Sequence, residues 1–317
     1  MTVKLGIVMD PLESIKPRKD STLAMMYAAQ ERGWRVFEIQ QQGLFVNNNE
    51  VLARHREVRV SLDETAWFTT LNTTSTPLAD FDLVLLRKDP PFDMEYVYTT
   101  YLLELAEKKG LLVLNRPSSV RDCNEKLYAL QFPDCCPPHA VSRDPQILRD
   151  FYEEHQDVIF KPLDGMGGAS IFRVGPGDKN LGVIIETLTG HGQRQAMVQR
   201  FIPEIEDGDT RILLINGRPV PYGLARIPSK NENRGNLAAG GEGVGRELTD
   251  RDRFICDQVG PSLTAKGLYF VGIDVIGDYL TEINVTCPTC LRELNRAYDL
   301  DIAGDYINFI DQTFLSK

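Results

Sequence analysis

The apolar residues of the first third of the chain fall into short, nearly unbroken runs, and this leaves few folds open. Val3–Met9 is such a run and ends in Asp10-Pro11; Leu83–Leu86 and Leu111–Leu114 are others. A strand without polar alternation is covered on both faces, which is the habit of parallel sheets. Between the runs lie helical patterns. Ser21–Arg32 places Leu23, Met26, Tyr27 and Gln30 at helical spacing with Gly33 as the stop, and Val97, Tyr101 and Leu105 form a stripe that Gly110 ends. Strand and helix in alternation predict an α/β amino-terminal domain, residues 1–122, with a parallel sheet covered on both faces.

Beyond residue 120 the rhythm changes. Asp122 and Glu125 have capping-box spacing, predicting a short helix with Lys126 in its first turns. Val158–Pro162, Ile171–Val174, Ala196–Ile202 and Arg211–Ile215 then read as strands, and Asn216-Gly217 supplies a hairpin turn into Val220–Ile227. The expected class is α+β, mostly antiparallel, in two lobes at 123–201 and 202–317. Two glycine-rich loops interrupt it: Asp164–Ser170 and the polar stretch Pro228–Gly245.

The chain has 317 residues, with 45 acidic and 35 basic side chains, a net charge of −10. That balance speaks against a general nucleic-acid or anionic-membrane partner. No signal peptide or bilayer-length apolar run is evident, and six cysteines are too sparse for a disulfide framework, so a cytoplasmic protein is expected.

Three constellations could carry chemistry. Lys161 sits inside an apolar strand beside the glycine-rich turn Gly165-Met-Gly-Gly168, whose amides could approach phosphate oxygens; a surface lysine beside an ordinary hairpin loop also fits. Glu282 and Asn284, two apart on a strand, face one side, and Asp274 could join them as hard-oxygen ligands for Mg²⁺. A two-residue Gly277-Asp278 turn would put Asp274 and Glu282 on opposite faces; they share one if the loop is Gly277-Asp278-Tyr279 or if a bulge intervenes. A solvated acidic face is the other reading. Arg211 and Arg226 flank the Asn216-Gly217 hairpin and Arg292 follows Thr286; such arginines suit carboxylate or phosphate recognition, or merely a wet sheet face. The four histidines have no metal spacing, and Cys287-Pro-Thr-Cys290 lacks a second pair for zinc, so it reads as structural or incidental.

Taken in order, Gly6–Pro11, Arg87–Asp93, Arg121–Lys126, Lys161–Gly168, Arg234–Gly241 and Thr281–Thr286 resemble the bacterial glutathione synthetases of the ATP-grasp superfamily. The resemblance spans nearly the whole chain, the segment 47–76 matching loosely and receiving no role. It implies an ATP-grasp fold in which ATP is held between two antiparallel-sheet lobes, and ATP-dependent joining of γ-glutamylcysteine to glycine through an acyl phosphate. Lys126, Lys161, Gly165, Gly167, Gly168, Asp209 and Asn284 would then serve the nucleotide, with the backbone of Gln199, Arg200, Phe201 and Ile202 reading the adenine edge. Mg²⁺, with Mn²⁺ as an alternative, would lie on Asp274, Glu282 and Asn284. Arg211, Arg226 and Lys161 would be catalytic. Arg87, Arg226, Arg234, Asn236, Thr286 and Arg292 would hold substrate. The two glycine-rich loops would be lids, and a homotetramer is implied. Where the family commonly has Ser-Pro-Thr, this chain has Cys287-Pro-Thr. Another ATP-grasp ligase, D-alanine ligase-like, and a non-catalytic nucleotide-binding module are the alternatives.

Overall fold

The computed structural model describes residues 2–165, 167–230, 234–235 and 240–316. Its first sheet comprises β1 (Lys4–Met9), β2 (Arg35–Asn47), β3 (Glu50–Val60), β4 (Phe68–Pro77), β5 (Leu83–Leu86) and β6 (Leu112–Leu114), in the order β4-β3-β2-β1-β5-β6. The apolar runs are buried parallel strands: β1 pairs with β2 and β5, and β5 with β6, all parallel. The expectation of a wholly parallel sheet is corrected at one side, where β3 and β4 add antiparallel. Those strands occupy the 47–76 segment, whose threonines and charges alternate with fewer apolar residues and give no buried-run signal.

Helix α1 (Ser21–Glu31) is capped by Asp20, whose carboxylate accepts from the Leu23 amide at 2.6 Å. Asp93 caps α2 (Met94–Glu107) in the same way. The stripe Val97, Tyr101, Leu105 is not the buried face of α2, however: Tyr96, Thr99, Thr100, Leu103 and Ala106 are. The capping box expected at Asp122 is also corrected. Asp122 ends α3 (Pro117–Asp122), and Asn124 makes the cap-like contacts instead, its Oδ1 accepting from the amides of Lys126 and Leu127. Pro117 at the first turn starts that helix early, so Asp122 arrives at its end.

The middle sheet, ordered β7-β10-β8-β9, is antiparallel and built from β7 (His139–Ser142), β8 (Val158–Pro162), β9 (Phe172–Val174) and β10 (Ala196–Arg200). Helices α4 (Pro145–His155) and α5 (Leu181–Thr189) pack against it. The third sheet contains β11 (Asp209–Ile215), β12 (Arg218–Pro219), β13 (Tyr222–Ile227), β14 (Glu242–Glu247), β15 (Phe270–Ile276) and β16 (Tyr279–Asn284), along β14-β13-β11-β15-β16 with β12 on β11. Its pairings are antiparallel throughout. Strand β14 takes the end of the polar stretch expected to be loop, pairing Glu242 with Ile227. Helices α6 (Asp250–Ala265), α7 (Leu291–Tyr298) and α8 (Ile302–Ile310) complete the chain.

The middle sheet encloses its own core around Val158, Phe160, Ile185 and Val198. By contrast, the first and third sheets share two apolar clusters. Asn115 fastens that union: its amide nitrogen donates to the carbonyls of Phe270 and Val285, and its oxygen accepts from the amides of Tyr269 and Phe270. All four bonding positions of a buried amide are thereby satisfied. The β11–β12 turn, with Asn216 and Gly217 both at positive φ, lies directly against α6. A Cβ at Gly260 would stand 2.2 Å from the Gly217 carbonyl oxygen. Gly260→Ala should therefore cost about 1–3 kcal/mol, the usual penalty of overpacking, seen as a lower urea midpoint; an unchanged midpoint would show that the two segments separate freely.

Candidate active site

The middle and third sheets face each other across a cleft of about 300 Å³. From the middle sheet come Ile159, Lys161 and Gln199, and from the loop after β8 come Gly165, Gly167 and Gly168; the third sheet gives Asp209, Arg211, Arg226, Glu282 and Asn284. One part of the wall is apolar, made by Ile159, Phe201, Ile202, Ile205 and Ile276, while the rest is charged. An apolar wall with a few convergent charges suits a heteroaromatic ligand bearing phosphates.

The register of β15 and β16 sets the acidic side. The hairpin turns at Gly277-Asp278, and a bulge between Asp274 and Val275 brings Asp274 opposite Glu282. The two carboxylates then share a face, as a bulge allows and a regular two-residue turn would not. Asn284 follows two positions on, and its amide nitrogen donates to Asp274 Oδ2 at 3.3 Å.

Asp274 is buried and held by both arginines. Arg211 forks onto it through Nε and Nη2, the latter at 2.8 Å, and Arg226 Nη2 reaches Oδ2 at 2.9 Å. Burial opposes the Asp274 charge, but the two guanidinium groups outweigh it and hold the carboxyl well below its ordinary range. Arg226 also reaches Asp209 Oδ2 at 2.6 Å. Burial, working against Arg226, pushes the Asp209 carboxyl up to about 6. Among the described residues Asp209 Oδ1 is a buried oxygen without a hydrogen-bond partner. Asp209 thus lines the cleft paired with Arg226.

Across the cleft, Lys126 Nζ contacts Glu125 Oε1, lies 3.3 Å from Glu282 Oε1 and donates to the Gly165 carbonyl at 2.9 Å. Burial disfavours its charge, yet Glu282 and Glu125 keep its pKa raised. The sequence marks Glu125 only as a capping-box partner of Asp122, not as a site residue. It lines the cleft, and its carbonyl accepts the Ile283 amide at 2.8 Å, tying the Lys126 segment to β16. Burial and the nearby Glu282 push its carboxyl up to about 7. The sequence signal that could have placed it in the site is its adjacency to Lys126. Lys161 is buried among cleft residues, and desolvation pulls its pKa down despite the attraction of Glu282.

Several expected residues lie elsewhere. Arg292 is on α7, outside the cleft, and donates to the Pro17 carbonyl. Arg87 also stands back from the cleft: it donates to Pro288 O at 2.9 Å and Thr22 Oγ1 at 3.2 Å, fastening the segment after β16 to the first sheet. The first sheet instead gives the cleft Asp89 and Pro90. The Arg200 side chain turns to the Tyr279 hydroxyl. The amides of Arg200 and Phe201 donate to Pro138 and Asp157 carbonyls, so these two cannot donate to an adenine edge. Arg234 and Thr286 do line the cleft, and Arg234 Nη1 donates to Gly168 O at 3.2 Å, joining the two glycine-rich loops. Asn236 lies outside the described residues. All six cysteines are free thiols, and burial raises the pKa of Cys287 and Cys290.

Comparison with known proteins places this geometry. Residues 3–121 match the amino-terminal domain of prokaryotic glutathione synthetase, and residues 125–299 its ATP-grasp domain. The glutathione synthetase of Pseudomonas putida is 59% identical over all 317 residues, covering 100% of each chain. That of Escherichia coli is 52% identical over 309 residues, covering 98% of each. Among solved structures, a D-cycloserine synthetase has a TM-score of 0.69 at 13% identity, covering 98% of this chain and 99% of its own. The D-alanyl-alanine synthetase A of Vibrio cholerae has a TM-score of 0.60 at 13% identity, covering 100% and 99%. These two show the ATP-grasp fold. The chain belongs to the prokaryotic glutathione synthetase family.

Proposed function

We propose that this cleft binds ATP with its base on the apolar wall and its phosphates between the lysines and β16, and there joins γ-glutamylcysteine to glycine. The family is one of ATP-dependent ligases making glutathione. What carries the reading in the structure is the convergence of Lys126 and Lys161 on the same cleft as Glu282, Asn284 and the paired Arg211 and Arg226.

A carboxylate resists attack by an amine, so ATP must first transfer its γ-phosphoryl group to it, releasing ADP; the amine then attacks the acyl phosphate and the former carboxylate oxygen leaves with phosphate. Phosphoryl transfer asks mainly for positioning and charge neutralisation. Lys126 and Lys161 supply positive charge to the phosphates. Arg211 and Arg226, fixed by Asp274, face the point where negative charge develops on the acyl phosphate and then on the tetrahedral species formed by glycine. Arg234 and Gly168 bridge the two loops over the cleft, which keeps water from the acyl phosphate.

The oxygen donors fit a hard divalent cation: Glu282 and Asn284 would hold Mg²⁺, or Mn²⁺, on the cleft wall. Among the described residues no group of three or more His, Cys, Asp and Glu side chains forms a metal cage. Such a cation, kept by one or two protein oxygens plus phosphates, would neutralise charge on the transferring phosphoryl group. Asp274, the third expected oxygen ligand, accepts from both arginines and so also orients Arg211, Arg226 and Asn284. Assembly as a homotetramer in the cytoplasm belongs to the same reading; no helix of the described residues is long and apolar enough to cross a membrane.

ADP release should require γ-glutamylcysteine and glycine together. Release with D-alanine alone would move the chain to another ligase, and tight ATP binding with no turnover would make it a binding module. Glu282→Ala should lower kcat by about 10²-fold or more while leaving the protein folded by circular dichroism, since metal-borne charge stabilisation contributes several kcal/mol; near-normal turnover would remove Glu282 from the site. Asp274→Ala should destabilise the protein by about 3–5 kcal/mol, because it strips the counter-charge from buried arginines. A denaturation midpoint equal to wild type would refute that role.

A further inference from the structure

Helix α2 has two apolar faces, and its own sheet covers only one. On the other, Met94, Tyr98, Tyr101 and Leu105 are 56, 50, 48 and 45% exposed. Their spacing of four, three and four residues is the seam of a two-stranded coiled coil, not the scatter of single exposed apolar residues that any surface carries. Tyr101 is also held in place. The Arg121 guanidinium lies 4.2 Å from its ring centroid and is itself fixed by Glu104 Oε2 at 2.9 Å and Thr100 Oγ1 at 3.0 Å.

The charges along the helix identify what covers this face. Exposed Glu95 lies near one end and exposed Lys108, next in the seam spacing, just past the other. The pairs Glu95 with Lys108 and Tyr98 with Leu105 have the same midpoint, between Tyr101 and Leu102. A twofold axis there sets Glu95 of one copy opposite Lys108 of the other, twice, and Tyr98 against Leu105, twice. The two helix dipoles also run oppositely, which is favourable. A parallel pairing would instead set Glu95 against Glu95.

We propose that the outer face of α2 is where a second copy of this chain docks, the two α2 helices packing antiparallel about a twofold axis. The inference rests on the self-assembly included in the reading above and is independent of the cleft's chemistry. Such a contact is isologous, the arrangement commonest in soluble oligomers.

Sedimentation velocity of the full chain at micromolar concentration tests it. Wild type should sediment as an even-numbered assembly, and the Tyr98→Glu, Leu105→Glu double variant should lose at least half that mass with its circular dichroism unchanged. Glu95→Lys should raise the dissociation constant several-fold, and adding Lys108→Glu should restore it. If the double variant misfolds, Tyr101→Cys decides: mild oxidation should give a disulfide-linked dimer absent from wild type. A monomeric wild type would overturn both the assembly and this interface. An assembly that keeps its mass in the folded double variant, or no cross-link through Cys at 101, would overturn the interface alone.

Discussion

The buried Asp274 carboxylate, clamped by Arg211 and Arg226, is the contact on which the rest of the cleft depends. Two guanidinium groups packed side by side in a core repel one another and lack water, so without an anion between them neither would stay. The sheet puts that anion there through backbone register, β11 pairing with β13 on one side and β15 on the other. Asn284 donates to the same carboxylate, which leaves its oxygen for the cleft. One side chain thereby orients the Arg211–Arg226 pair and the Asn284 amide together.

Much of this was legible in the amino-acid order. The strands around Lys161 and the β15–β16 hairpin are marked by apolar alternation, and the strands place Lys161, Glu282 and Asn284 whatever the loops do. Even the bulge beside Asp274 follows from the amino-acid order, since a two-residue Gly277-Asp278 turn needs one to bring the carboxylates to a shared face. What was not legible has one cause: a side chain's partner is chosen by distant chain. Arg87 and Arg292 have the chemistry of substrate ligands, yet backbone carbonyls of Pro288 and Pro17 claim them. Glu125 was passed over because burial beside Glu282, which gives it interest, is invisible locally. The α2 stripe was read with the wrong side inward, since both faces of that helix carry apolar spacing.

Lys126 shows how closely the two sheets are knitted at the cleft. It touches Glu282 on one side and the Gly165 carbonyl on the other, while Asn124 donates to the Leu163 carbonyl at 2.9 Å. Phosphates arriving between the lysines would compete for that ammonium and loosen its hold on the glycine-rich loop. Charge on the ligand is thus linked to the position of the loop above it.

The separate core of the middle sheet has a mechanical consequence. With two clusters joining the first and third sheets and a third confined to the middle one, the molecule is a large body carrying a small hinged jaw. A shift of the jaw divides none of the three apolar clusters, so the cleft can gape and shut with each core intact.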